Sequence, residues 1–182
     1  MPSFRSTRGG DPLRSEPLRA AARPAFAHRE EPALAGALDV VAARARRRAL
    51  RAGDPEVDTG HLLHALLETD DSALGVAAPL PMQATRLMGY LVQRSIGFGR
   101  LWRFGEGVAD RERERSAGLA WSASANGALA RASRAGGTVL ELLRELATVA
   151  DSRASEILRG AGIDPSAVVQ RCRTQAADRL SG

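Results

Sequence analysis

Two stretches eighty residues apart carry the same leucine pattern: "HLLHALLETDDS" at 61–72 and "ELLRELATVADS" at 141–152. Leu62, Leu63 and Leu66 align with Leu142, Leu143 and Leu146, and both stretches contain an Asp-Ser turn. Spacings of one and three put these leucines on one side of a helix, and each such face needs a partner that buries it. The segments ahead of the two copies also match. "AARARRRALRAG" at 42–53 and "ANGALARASRAG" at 125–136 share seven of twelve residues, with a three-residue difference in the loop that follows. Each half therefore reads as a long helix, a loop, a Leu-rich short helix, an Asp-Ser turn and further helix.

The remaining pattern agrees with helices. Ala, Leu and Arg dominate the 182 residues and aromatics make up 4%, a balance that favours helix over strand. After Glu31-Pro32, Leu34, Leu38, Val41, Ala45, Ala49 and Ala52 recur at spacings of three and four up to Gly53, with Pro55 just beyond. Thr59 is a suitable N-cap for the next helix, which carries Leu62, Leu63, Leu66 and Leu67 and stops around Asp70-Asp71-Ser72. "MQATRLMGYLVQRSI" reads as a Gly-broken helix, and Asp164-Pro165 as a strong start for the last one. Residues 1–30 mix Pro, Gly, Ser and Arg without periodicity, the mark of a disordered tail. Residues 97–118 pass from glycines and aromatics to an Arg-Glu run and read as a connector. The expected fold is all-α, with one repeat over 31–96 and a pseudo-symmetric second over 119–182, each of four helices.

Charge and cysteine usage narrow the function. All 26 basic residues are arginine, so there is no P-loop lysine, no Schiff base and no lysine general base; P-loop nucleotide hydrolysis and pyridoxal chemistry are excluded. Residues 1–29 carry +4 of the formal +5 charge. The rest is close to neutral, which argues against a basic nucleic-acid groove on the body and leaves only weak, salt-sensitive contact through the tail. Cys172 is the sole cysteine, so no intramolecular disulfide forms, and cytoplasm is the expected compartment. No apolar run reaches the length of a membrane span.

Thr59-Gly60-His61-Leu62-Leu63-His64-Ala65-Leu66-Leu67 and the second copy, with Leu142, Leu143, Leu146 and "ASEILRGAGID", resemble the double Clp N-terminal domain that precedes the ATPase rings of ClpA, ClpB and ClpC unfoldases. The resemblance covers about residues 33–175. It implies a domain that performs no chemistry and docks adaptors or substrates, here free-standing, with no ATPase motor. In ClpC-like members a Glu of the Thr-Glu-His motif helps hold phosphorylated arginine. Gly60 stands at that position, and the second half offers apolar Val139 and Leu140, so the resemblance does not carry phosphoarginine recognition over.

The expected partners are protein or peptide clients, or a Clp ATPase. Motif position nominates Thr59, Gly60, His61, Thr138 and Glu141 as contacts. Trp102 and Phe104 of the connector either fold over the seam between repeats or stay exposed as partner anchors. His61, His64 and Glu68 lie at i, i+3 and i+7, but their spacing lacks the His-x-x-x-His zinc pattern; His64 and Glu68 read as a surface pair, and no metal or cofactor is expected. The arginines beside Cys172 could lower its thiol pKa, although a lone helical cysteine usually packs. Arg44, Arg46, Arg47, Arg48 and Arg51 spread around more than one helix face and read as a solvated or acidic-partner surface. Two other functions fit the sequence: a decoy that captures a peptide-like ligand or antibiotic, and a nucleic-acid-associated regulator acting through the basic tail.

Overall fold

Leucine and alanine stripes at helical spacing fold as helices throughout. The computed structural model describes residues 36–96 and 118–181. They form α1 (Ala37–Ala52), α2 (Thr59–Thr69), α3 (Asp71–Ala77), α4 (Pro81–Ile96), α5 (Ala123–Arg134), α6 (Val139–Thr148), α7 (Arg153–Gly160) and α8 (Pro165–Ser181). The chain is all-α; among the described residues the one extended pairing is an isolated bridge between Val57 and Trp121. The proposed tail at 1–30 and all but the last residue of the connector lie outside the described residues.

Local chemistry sets the helix ends. α1 buries Leu38, Val41, Ala42, Ala45 and Ala49 and stops at Gly53, whose φ of 76° is the left-handed conformation that favours glycine. The turn there satisfies two terminal carbonyls: Gly53 N donates to Leu50 O at 3.2 Å and Asp54 N to Ala49 O at 3.0 Å. Asp70 caps α3 through Ala73 N, Ser122 caps α5 through Ala125 N, and Ser152 caps α7 through Ser155 N. Asp164 Oδ1 accepts from Ser166 N at 2.9 Å at the Pro165 start of α8.

Two local readings change. Asp58, not Thr59, is the N-cap of α2, and Thr59 is its first helical residue. α4 also runs unbroken through Gly89, because Leu87 and Leu91 bury on either side and outweigh the roughly 1 kcal/mol helix penalty of one glycine.

The two leucine stripes meet. α2 packs against α6, and Leu62, Leu63, Leu66, Leu142, Leu143 and Leu146 are fully buried in one cluster. At about 1.5–3 kcal/mol for each buried leucine, this seam is a main source of stability. The Val57 bridge fastens the approach to α2 onto the approach to α5: Val57 N donates to Ala120 O at 2.8 Å, and Ser122 N to Val57 O at 3.0 Å. Arg46 lies over the Trp121 ring beside it, 4.7 Å from the centroid, a cation–π contact. Among the described residues no helix is long and apolar enough to cross a membrane.

Candidate functional site

The first turn of α2 is closed by a capping box. Asp58 Oδ1 accepts from Gly60 N at 2.8 Å and His61 N at 3.0 Å, while His61 Nδ1 accepts from Asp58 N at 3.1 Å. Donors that a helix start leaves open for ligands are thus satisfied within the chain. His61 is also bracketed by carboxylates, with Nε2 2.9 Å from Asp54 Oδ2 and Nδ1 2.9 Å from Asp58 Oδ1. Burial pushes the Asp58 carboxyl up, but the His61 side chain, its charge, and the His61 and Gly60 amides outweigh it and hold the group below its ordinary value.

Thr59 and Gly60 face inward. Thr59 is fully buried, and its Oγ1 accepts from Ala154 N at 3.1 Å. A Cβ on Gly60 would lie 2.8 Å from Arg153 Cγ and 2.9 Å from Ile157 Cδ1, so glycine at this position lets α7 pack directly on α2. A partner approaching this turn meets His61, Asp54, Asp58 and Arg153, whose Nε is 3.9 Å from Asp58 Oδ2.

In the second half, Thr138 caps α6 with Oγ1 accepting from Glu141 N at 3.2 Å. Thr138 is exposed, whereas Val139 and Leu140 are buried. Glu141 begins an ion-pair chain: its Oε2 is 2.7 Å from Arg144, which is 3.0 Å from Glu145, whose other oxygen is 2.6 Å from Arg131 of α5. Thr59, Gly60 and His61 share one turn, and Thr138 and Glu141 another. Thr59 meets the start of α7, which follows the end of α6, whereas Thr138 caps the beginning of α6. Trp102 and Phe104 lie outside the described residues.

His64 is not on the surface. It is buried, with Nε2 3.2 Å from Glu68 Oε1, and Glu68 Oε2 pairs with Arg48 of α1. Burial and the Arg48 charge lower the His64 pKa to about 4, so the imidazole is neutral at pH 7. The two histidines thus turn to different carboxylates. Among the described residues no group of three His, Cys, Asp or Glu side chains is placed to hold a metal ion.

Cys172 is buried, and burial pushes its thiol up to about 11; desolvation outweighs the neighbouring arginine and disfavours the thiolate. Arg46, read from the sequence as part of a solvated or partner-facing surface, instead lies over Trp121, whose only signal was a lone aromatic ahead of a helix. Comparisons with models of known protein families, with curated proteins and with solved structures gave no match.

Proposed function

We propose that the chain is a cytoplasmic, non-enzymatic protein-interaction module of double Clp N-terminal type. α1–α4 and α5–α8 are its two pseudo-symmetric repeats, and it serves as an accessory or adaptor in Clp substrate recognition. The observation that carries this reading is the helix packing, which largely survives exchange of the halves. α2 packs on α7 as α6 packs on α3; α1 on α6 as α5 on α2; α3 on α8 as α7 on α4. Arg48 and Arg131 align in the two copies, and each reaches a glutamate on the following helix, Glu68 and Glu145. The exchange is not complete, since α8 lies along α6 to an extent that α4 does not along α2.

The rims of the α2 and α6 starts, at His61, Thr138 and Glu141, are the contact surface, and Trp102 and Phe104 supply further anchors. Thr59 and Gly60 shape the first rim from beneath. Affinity capture with mass spectrometry, comparing the intact chain with residues 30–182, tests the proposal. A Clp component or discrete client recovered by both forms supports it. Recovery by neither, with both folded, counts against it, and saturable binding of a small peptide-like ligand without partner recruitment would favour the decoy function.

A further inference from the structure

We infer that the outward side of α1 is a docking surface for an acidic, amphipathic protein segment, held by Arg44 and Arg47 with Val40 as its apolar contact. This surface is on a different helix from the α2 and α6 starts, and its charge pattern does not depend on the Clp-type reading.

At 3.6 residues per turn, Val40, Arg44, Arg47 and Arg51 fall within about 60° of one another around α1. Leu38, Val41, Ala42, Ala45 and Ala49 occupy the buried side. The other two arginines of the cluster have internal roles: Arg46 lies over Trp121 and Arg48 pairs with Glu68. Arg44 and Arg47 have no ion-pair partner among the described residues. The fold thus commits Arg46 and Arg48 to the domain and leaves Arg44 and Arg47 one turn apart on its outward side.

The dimensions and charge of this stripe select its occupant. Arg44 and Arg47 lie roughly 5 Å apart along the axis, about one helical turn, which matches glutamates spaced three or four apart on a facing helix. Val40 is 45% exposed at one end of the stripe, a foothold for an apolar side chain on the same segment. The described residues hold 15 arginines against 13 acids. They carry this stripe on a nearly neutral body, whereas a nucleic-acid-binding domain is strongly basic overall.

The test uses the full chain and a fluorescein-labelled helical peptide with glutamates at i, i+4 and i+7 and a leucine one turn away, read by fluorescence anisotropy. A DNA oligonucleotide of equal net charge is the competitor. Saturable, salt-sensitive peptide binding that weakens about tenfold in R44E/R47E and is unchanged in R134E is the expected result. The arginines of residues 1–29 are present in every variant, so the difference between R44E/R47E and R134E reads α1 alone. Circular dichroism checks each fold, and R44Q/R47Q replaces the reversal if that variant unfolds. No peptide binding, or equal loss in R134E, overturns the inference. So does tighter binding of the DNA with the same dependence on Arg44 and Arg47, which would assign the stripe to nucleic acid.

Discussion

The hydroxyl of Thr59 accepts a hydrogen bond from the amide of Ala154 at 3.1 Å, joining the first turn of α2 to the first turn of α7 across 95 positions of sequence. Both groups are buried, so neither finds water if the other is lost. Thr59→Val keeps the shape and removes the acceptor, leaving the Ala154 N–H unsatisfied at a cost of about 1–3 kcal/mol. Thr59→Ser keeps the oxygen and loses only a methyl group. Urea denaturation is expected to rank stability as wild type, then Ser, then Val; a Val variant as stable as wild type would mean the bond contributes nothing net.

Gly60 and Gly89 are both helical glycines, yet alanine has opposite effects on them. At Gly60 the new Cβ meets Arg153 and Ile157 below 3.0 Å, and the overpacking costs about 1–2 kcal/mol. At Gly89 nothing lies within 4 Å of it, and Gly60→Ala is therefore contrasted with a Gly89→Ala gain of about 0.5–1 kcal/mol from helix propensity. Thermal melts of the two variants are expected to shift in opposite directions from wild type. Gly60→Glu, which adds a longer, charged side chain at the same close contact, is expected to be less stable than Gly60→Ala.

Buried His64 gives the fold a pH dependence of known sign. Its pKa falls from 6.5 to about 4 on folding, so between these values the unfolded chain binds the extra proton and stability drops as pH falls. Its contribution is fully present above pH 6.5 and lost on descent to about 4, on the order of 3 kcal/mol at about 1.4 kcal/mol per unit. Asp58 adds a second loss at more acid pH, because its carboxyl is held below the ordinary range. Denaturation midpoints from pH 7.5 to 4 are expected to flatten in His64→Leu; an unchanged slope would assign the dependence elsewhere.

The helices were legible because their signal is local: leucines at 62, 63 and 66 and at 142, 143 and 146 specify a period and a buried face whatever the rest of the chain does. Thr59 was misread because Asp58 and Thr59 are both good caps, and what separates them is the contact with Ala154. The position of His64 was hidden for a related reason. α2 buries eight of its eleven residues, so it lacks the solvent face that a surface reading of the His64–Glu68 pair assumes. The candidate contacts at Thr59 and Gly60 share this origin: a sequence motif names positions, while the approach of α7 decides which of them a partner can touch. The arginine stripe was visible as composition, and Trp121 and Glu68 show that Arg46 and Arg48 are engaged within the fold.

Arg171 closes the far end of the short helix α3. From α8 its Nε donates to Val76 O at 2.6 Å and its Nη2 to Ala77 O at 2.9 Å, so one guanidinium satisfies two of the carbonyls that a helix leaves open at its C-terminus. α3 has seven residues, too few to persist alone, so tertiary contacts of this kind hold it. Arg171→Met preserves much of the side-chain length and removes both donors, with an expected loss of about 1.5–3 kcal/mol. The loss is expected to appear first as local opening: hydrogen exchange at the Ala77 and Ala78 amides accelerates, while amides of α2 and α6 keep their relative protection. Uniform acceleration would instead mean that α3 opens only with the whole domain, and unchanged exchange would mean that water replaces the guanidinium without cost.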